Sequence, residues 1–119
     1  MINQLVFLLA VHWLADFVFQ TRWQATNKSR SNVALTSHVV WYTVFLCGGA
    51  YAIFGMRPMV AWCVLINGMF HWVTDWFTSR ASSYFYAKED WHKFFVVIGF
   101  DQFCHQAILL ATFGSIPNV

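Results

Sequence analysis

The chain has 119 residues, of which 59% are hydrophobic, 20% aromatic and only 10% charged. A soluble domain carries about 25% charged residues, and a fold this short cannot hide so much apolar surface, so composition predicts that lipid covers the rest. The formal net charge of +2 excludes a basic nucleic-acid surface.

A membrane-crossing helix needs about 20 mainly apolar residues. Four stretches meet that length, at 2–20, 34–54, 58–79 and 93–113. They predict an all-α, polytopic four-helix transmembrane bundle that forms a single domain over residues 1–119. The first stretch opens Met1-Ile2-Asn3-Gln4-Leu5 with no basic residue and no small-residue cleavage pattern, so it is expected to be retained as a membrane helix. It carries His12, Asp16 and Gln20 at intervals of four. The polar segment 21–33 follows, with Arg22, Asn27, Lys28 and Arg30, and is expected to lie on the membrane surface or fold back as a lid.

His38 opens the second span, and Gly48-Gly49 within it predicts close helix packing. Gly55 and Pro58 mark a short turn. The third span holds Asn67, His71 and Asp75. Residues 80–92 mix aromatics with charge and read as a short amphipathic piece on the membrane surface. The fourth span holds Asp101, Gln102 and His105, and Gly114 and Pro117 end it. Trp23, Tyr86 and Trp91 are placed as interfacial anchors. Cys47, Cys63 and Cys104 lack any paired spacing and read as small hydrophobes, while His92 is expected at the interface.

Two alternate loops carry six of the seven Lys and Arg residues. The positive-inside rule therefore places those loops in the cytoplasm and both termini outside. With this orientation His12 and Asp16 lie roughly 12 and 6 Å from the cytoplasmic boundary, and His71 and Asp75 lie at the same depths. His38, Asp101 and His105 enter the same half of the bilayer.

An ionisable side chain at mid-membrane costs roughly 2.5–3.5 kcal/mol. Three unsatisfied Asp would cost about 8–10 kcal/mol on that scale. The economical reading is that the four helix faces converge on a cation. Imidazole nitrogen and carboxylate oxygen are ordinary ligands of a divalent metal ion, zinc first, with manganese and iron as the other candidates. The predicted ligands are His12, Asp16, His38, His71, Asp75, Asp101 and His105. Gln20, Asn27, Lys28 and Gln102 form a second polar tier, read as candidate substrate contacts or as interhelical hydrogen bonds. The sequence contains no Gly-rich phosphate loop, GxSxG elbow or HExxH pair.

The ordered set His12-x3-Asp16-x3-Gln20, Asn27-Lys28, His38, His71-x3-Asp75 and Asp101-Gln102-x2-His105 resembles the small integral-membrane proteins grouped as domain of unknown function 3307, found in bacteria and their phages. The resemblance covers nearly the whole chain. It implies a compact helical membrane protein with a shared polar centre. That protein would sit in a bacterial inner membrane, or in the host's inner membrane if phage-encoded. The family brings no established activity. Where its members carry Lys three residues after the second Asp, this chain has Thr78, with Arg80 two residues later.

Three functions follow from these residues. The leading one is a bundle that binds one or two divalent metal ions and, as an enzyme, would hydrolyse an ester, amide or phosphoester of an amphiphilic substrate, with Asp16 or Asp101 as the base. The second is a proton or metal-ion conduit. The third is a non-enzymatic membrane partner with a structural polar core. The expected partners are the bilayer, an amphiphilic substrate and, for a conduit, further copies of the chain.

Overall fold

The structure is a computed structural model describing residues 1–117, and these are helical apart from short connections. Helix α1 spans Ile2–Trp13 and runs into a π-turn at Leu14–Val18. Helices α2 to α5 span Arg22–Asn27, Asn32–Phe54, Pro58–Ala87 and Trp91–Phe113. Helices α3 and α5 are long and apolar enough to cross a membrane, and Ile2–Val18 is a shorter apolar piece. Helix α4 is longer than either, but Asn67, His71 and Asp75 interrupt its apolar run.

Local chemistry sets the helix ends. Thr21 and Gln24 form a reciprocal capping box at α2: Thr21 Oγ1 accepts from the Gln24 N–H at 3.2 Å, and the Thr21 N–H donates to Gln24 Oε1 at 3.0 Å. Ser31 caps α3 by accepting from the Ala34 N–H at 3.3 Å. Gly55, with φ of 80°, turns the chain out of α3, and Pro58 opens α4. Asp90 accepts from the Lys93 N–H at 3.1 Å to start α5.

Two boundaries differ clearly from those expected. The first apolar stretch does not reach Gln20 as regular helix, because it widens into the π-turn, where the Phe19 N–H donates to the Leu14 carbonyl at 2.9 Å. The wider turn keeps both Ala15 and Asp16 facing inward. The third stretch does not end at 79 but continues to Ala87, so most of the expected surface piece 80–92 is the last two turns of α4. Its serines and aromatics are only mildly poor helix formers. The chain reverses at Lys88–Asp90, where Glu89 takes a left-handed φ of 56°. The segment 21–33 folds back against the bundle. Helix α2 packs on α3, and Gln24 Nε2 donates to Ser37 Oγ at 3.0 Å.

Helix α4 packs against both α3 and α5, and α3 also packs against α1. The bundle has two unlike ends. At one, Leu8, Leu46, Phe54, Val60, Leu109 and Phe113 form an apolar core. At the other, the buried side chains are His12, Asp16, His38, His71, Asp75 and His105. The outside is apolar instead: Trp62, Phe77, Phe95, Phe100 and Phe103 are exposed.

Of the expected close-packing pair, only Gly49 meets a neighbour, and a Cβ there would lie 2.6 Å from Val11 Cγ1. Gly68 of α4 likewise admits Thr43 of α3. Gly49→Val is therefore expected to push α1 off α3, costing about 1–3 kcal/mol. Gly48→Val has open space and is expected to cost much less. Thermal unfolding of both variants in detergent tests the contrast.

Candidate metal centre

Four helices each contribute to one polar centre. The π-turn after α1 supplies Asp16, α3 supplies His38, α4 supplies His71 and Asp75, and α5 supplies Asp101 and His105. The four-residue spacing on α4 puts His71 and Asp75 on one face, as it does Asp101 and His105 on α5.

The tightest group is Asp16, His38, His71 and Asp75, all buried. His38 Nε2 lies 3.1 Å from Asp16 Oδ1, 3.1 Å from His71 Nε2 and 3.5 Å from Asp75 Oδ2. His71 Nε2 lies 3.3 Å from Asp16 Oδ1 and 3.5 Å from Asp75 Oδ2. One hydrogen bond at each Nε2 leaves two further polar atoms packed close against it. Each Nε2 carries at most one proton in a neutral ring, yet each faces three partners at contact distance. A tetrahedral ion with ligand bonds of about 2.0–2.2 Å would space its ligands about 3.3–3.6 Å apart. The observed separations lie close to that range.

His71 is held firmly. Its ring stacks on His105 with centroids 3.9 Å apart and planes at 6°, and Tyr42 covers the other side at 3.9 Å. A second, looser group joins Asp16, Asp101 and His105. His105 Nε2 sits 3.0 Å from Asp75 Oδ1 and 3.3 Å from Asp101 Oδ1. Thr78 Oγ1 donates to Asp101 Oδ1.

His12 is buried beside the centre but belongs to neither group. Its Nδ1 lies 3.1 Å from the Tyr42 hydroxyl and its Nε2 3.2 Å from Gln102 Oε1. Gln102 also donates from Nε2 to Asp16 Oδ2 at 2.9 Å and to Asp101 Oδ2 at 3.1 Å, so it ties α1 to α5. Lys28 reaches in from the end of α2 and pairs with Asp75 Oδ2 at 2.8 Å. Burial alone would favour its neutral amine, but the Asp75, Asp16 and Asp101 carboxylates outweigh that and hold its pKa above the ordinary lysine value. Asn27 does not reach the centre, and its amide donates to the Trp23 carbonyl at 2.9 Å. Gln20 lines the adjoining cavity.

Tyr42 and Thr78 were not singled out as site residues by the sequence. The available signal was spacing: Tyr42 follows His38 by four and Thr78 follows Asp75 by three.

Three carboxylates against one ammonium leave the centre two charges negative when the imidazoles are neutral. Removing Lys28 deepens that imbalance. Lys28→Met is expected to destabilise the metal-free protein by about 3 kcal/mol, because Asp75 loses its counter-charge. It is expected to cost less when zinc is present. Melting curves with and without chelator separate the two values.

The fold and its centre thus define an all-helical protein with two helices able to cross a membrane and a buried histidine–aspartate cluster. The model of the family described as protein of unknown function (DUF3307) matches residues 4–118, and the chain belongs to that family. No curated protein and no solved structure matches it.

Proposed function

We propose that the protein is a four-helix membrane protein that binds one divalent metal ion through Asp16, His38, His71 and Asp75, and uses it to hydrolyse an amphiphilic substrate. The observation that carries this reading is the convergence of two imidazole nitrogens and two carboxylate oxygens, 3.1–3.5 Å apart in the pairs given above, on one buried point. A dication also cancels the two negative charges that the centre otherwise buries.

Membrane insertion rests on the inside-out distribution of polarity. Only 11% of the apolar window of α5 is buried within the protein, whereas a core helix of a soluble protein would be mostly covered. Six of the seven Lys and Arg residues lie on connections at the metal-centre end or on the adjoining helix turns. By the positive-inside rule this supports a centre towards the cytoplasm with both termini outside.

A zinc ion held by all four residues would need a fifth position for water; a water there would have its pKa lowered to about 7, and the ion would polarise a carbonyl or phosphoryl oxygen. The protein's own residues divide the remaining work. Asp16 and Asp75 face the two histidines and serve as ligands. Asp101 stands outside that four-ligand group and lines the cavity, so it is the better placed to take a proton. Thr78 and Gln102 fix its carboxylate. Gln102 and Tyr42 orient His12 beside the centre.

The apolar end bears on the conduit reading. Leu8, Leu46, Phe54, Val60, Leu109 and Phe113 fill it, and Asn67 there donates from Nδ2 to Thr112 Oγ1 at 2.8 Å while its Oδ1 has no partner. This apolar fill disfavours a hydrated path through one chain. Hydrolysis of a panel of micellar esters, amides and phosphoesters tests the enzymatic reading. Turnover that stops with chelator and returns with zinc is the expected result. A metal-loaded protein inert towards every class contradicts it.

A further inference from the structure

A cavity of about 790 Å³ opens beside the metal centre. Asp16, Asp101 and Gln102 lie at its inner wall, and Lys28, Arg30 and Arg80 also line it. Phe17, Phe94, Val97 and Ile98 form an apolar side. The cavity therefore joins a cationic region to a greasy one.

Its charge balance depends on the metal. With a dication bound and Lys28 paired to Asp75, the centre is neutral. Arg30 and Arg80 then have no carboxylate partner among the described residues, although the Arg80 guanidinium lies over the Trp76 ring, 4.1 Å from its centroid. Arg80 Nη1 donates to the Trp76 carbonyl at 2.9 Å and its Nη2 to Asn32 Oδ1 at 3.0 Å, both neutral partners. Among the described residues the Arg30 guanidinium has no ion-pair or hydrogen-bond partner. Glu89 and Asp90 do not line the cavity. Two buried polar atoms of lining residues, Gln20 Oε1 and Ser79 Oγ, also have no hydrogen-bond partner within the protein. A buried hydroxyl without a partner is costly and is ordinarily accounted for by a ligand or water.

We propose that this cavity seats an amphiphile with an anionic, phosphate-like headgroup, held by Arg30, Arg80 and Ser79, with its hydrocarbon on Phe17, Phe94, Val97 and Ile98. The inference rests on the metal-centre reading and narrows its substrate class. Guanidinium groups suit phosphate oxygens, and the Ser79 hydroxyl can donate to a third. The same headgroup chemistry occurs on a lipid and on free phosphate, and the apolar wall selects the former.

The test uses the full chain purified in dodecyl maltoside and loaded with zinc, its metal content measured on each sample. Intrinsic tryptophan fluorescence follows titration with dodecyl phosphate, inorganic phosphate and dodecyltrimethylammonium. Dodecyl phosphate is expected to bind about a hundredfold more tightly than inorganic phosphate, through the burial of its chain. Dodecyltrimethylammonium is expected not to saturate. Arg30→Gln is expected to weaken dodecyl phosphate about tenfold while leaving zinc content unchanged. Ile98→Ala is expected to weaken dodecyl phosphate and leave inorganic phosphate unaltered.

Equal binding of the anionic and cationic detergents by zinc-loaded protein overturns the proposal and leaves the metal centre standing. So does an Arg30→Gln variant that binds dodecyl phosphate as the parent does. Equal affinity for inorganic and dodecyl phosphate overturns the lipid assignment. Absence of zinc from every sample overturns the underlying reading, and with it the charge balance on which the headgroup assignment stands.

Discussion

His71→Ala is expected to abolish stoichiometric zinc binding, with a loss of affinity greater than the 10–100-fold typical of residues that merely orient a ligand. His71 contacts both carboxylates of the four-residue group and is clamped between Tyr42 and His105. The loss also appears in stability. A ligand present at 100 times its dissociation constant stabilises the folded state by about 2.7 kcal/mol, so zinc raises the melting temperature of the parent and not of the variant. His92→Ala provides the control, since His92 is exposed and outside the centre. Equal zinc retention by His71→Ala and the parent would remove His71 from the metal site.

Asp101→Asn is expected to separate binding from chemistry. Asp101 is absent from the four-residue group and lines the cavity, so the variant is expected to keep its zinc. Its turnover is expected to fall by about 10²–10⁴-fold, the range associated with loss of a positioned proton acceptor. Asp16→Asn is expected to lose metal and turnover together, because its carboxylate faces both His38 and His71. The paired result assigns the two aspartates different tasks. An Asp101→Asn variant with parental turnover would mean that the proton goes elsewhere.

The polar centre was legible because two simple rules act on the same residues. Lipid rejects unpaired charge, and a helix brings residues four apart onto one face. Together they pick out His71–Asp75 and Asp101–His105 from spacing alone. The same reasoning ranks His12 with them. The structure instead engages both ring nitrogens of His12 with Tyr42 and Gln102, and leaves its Nε2 3.8 Å from Asp16 Oδ2. A π-turn depends on packing against neighbouring helices rather than on a residue signature, so Leu14–Val18 gave no warning of it.

The Lys28–Asp75 pair, 47 residues apart, was hidden for a related reason. Its geometry depends on α2 folding back onto α3. The capping box of Thr21 and Gln24 was present in the sequence, but in a polar segment it reads equally well as loop chemistry. The end of α4 was obscured by composition. Ser82, Ser83 and the charged residues beyond them suggest a connection, yet the helix persists until Glu89 adopts a left-handed backbone.

The molar ratio of metal to protein tests the central claim most directly. Elemental analysis of the full chain, expressed with zinc in the medium and purified in neutral detergent without chelator, is expected to give one divalent ion per chain. The value is expected to fall to background in the His38→Ala variant. No divalent metal above background in the parent protein, under conditions where it remains folded, would contradict the account.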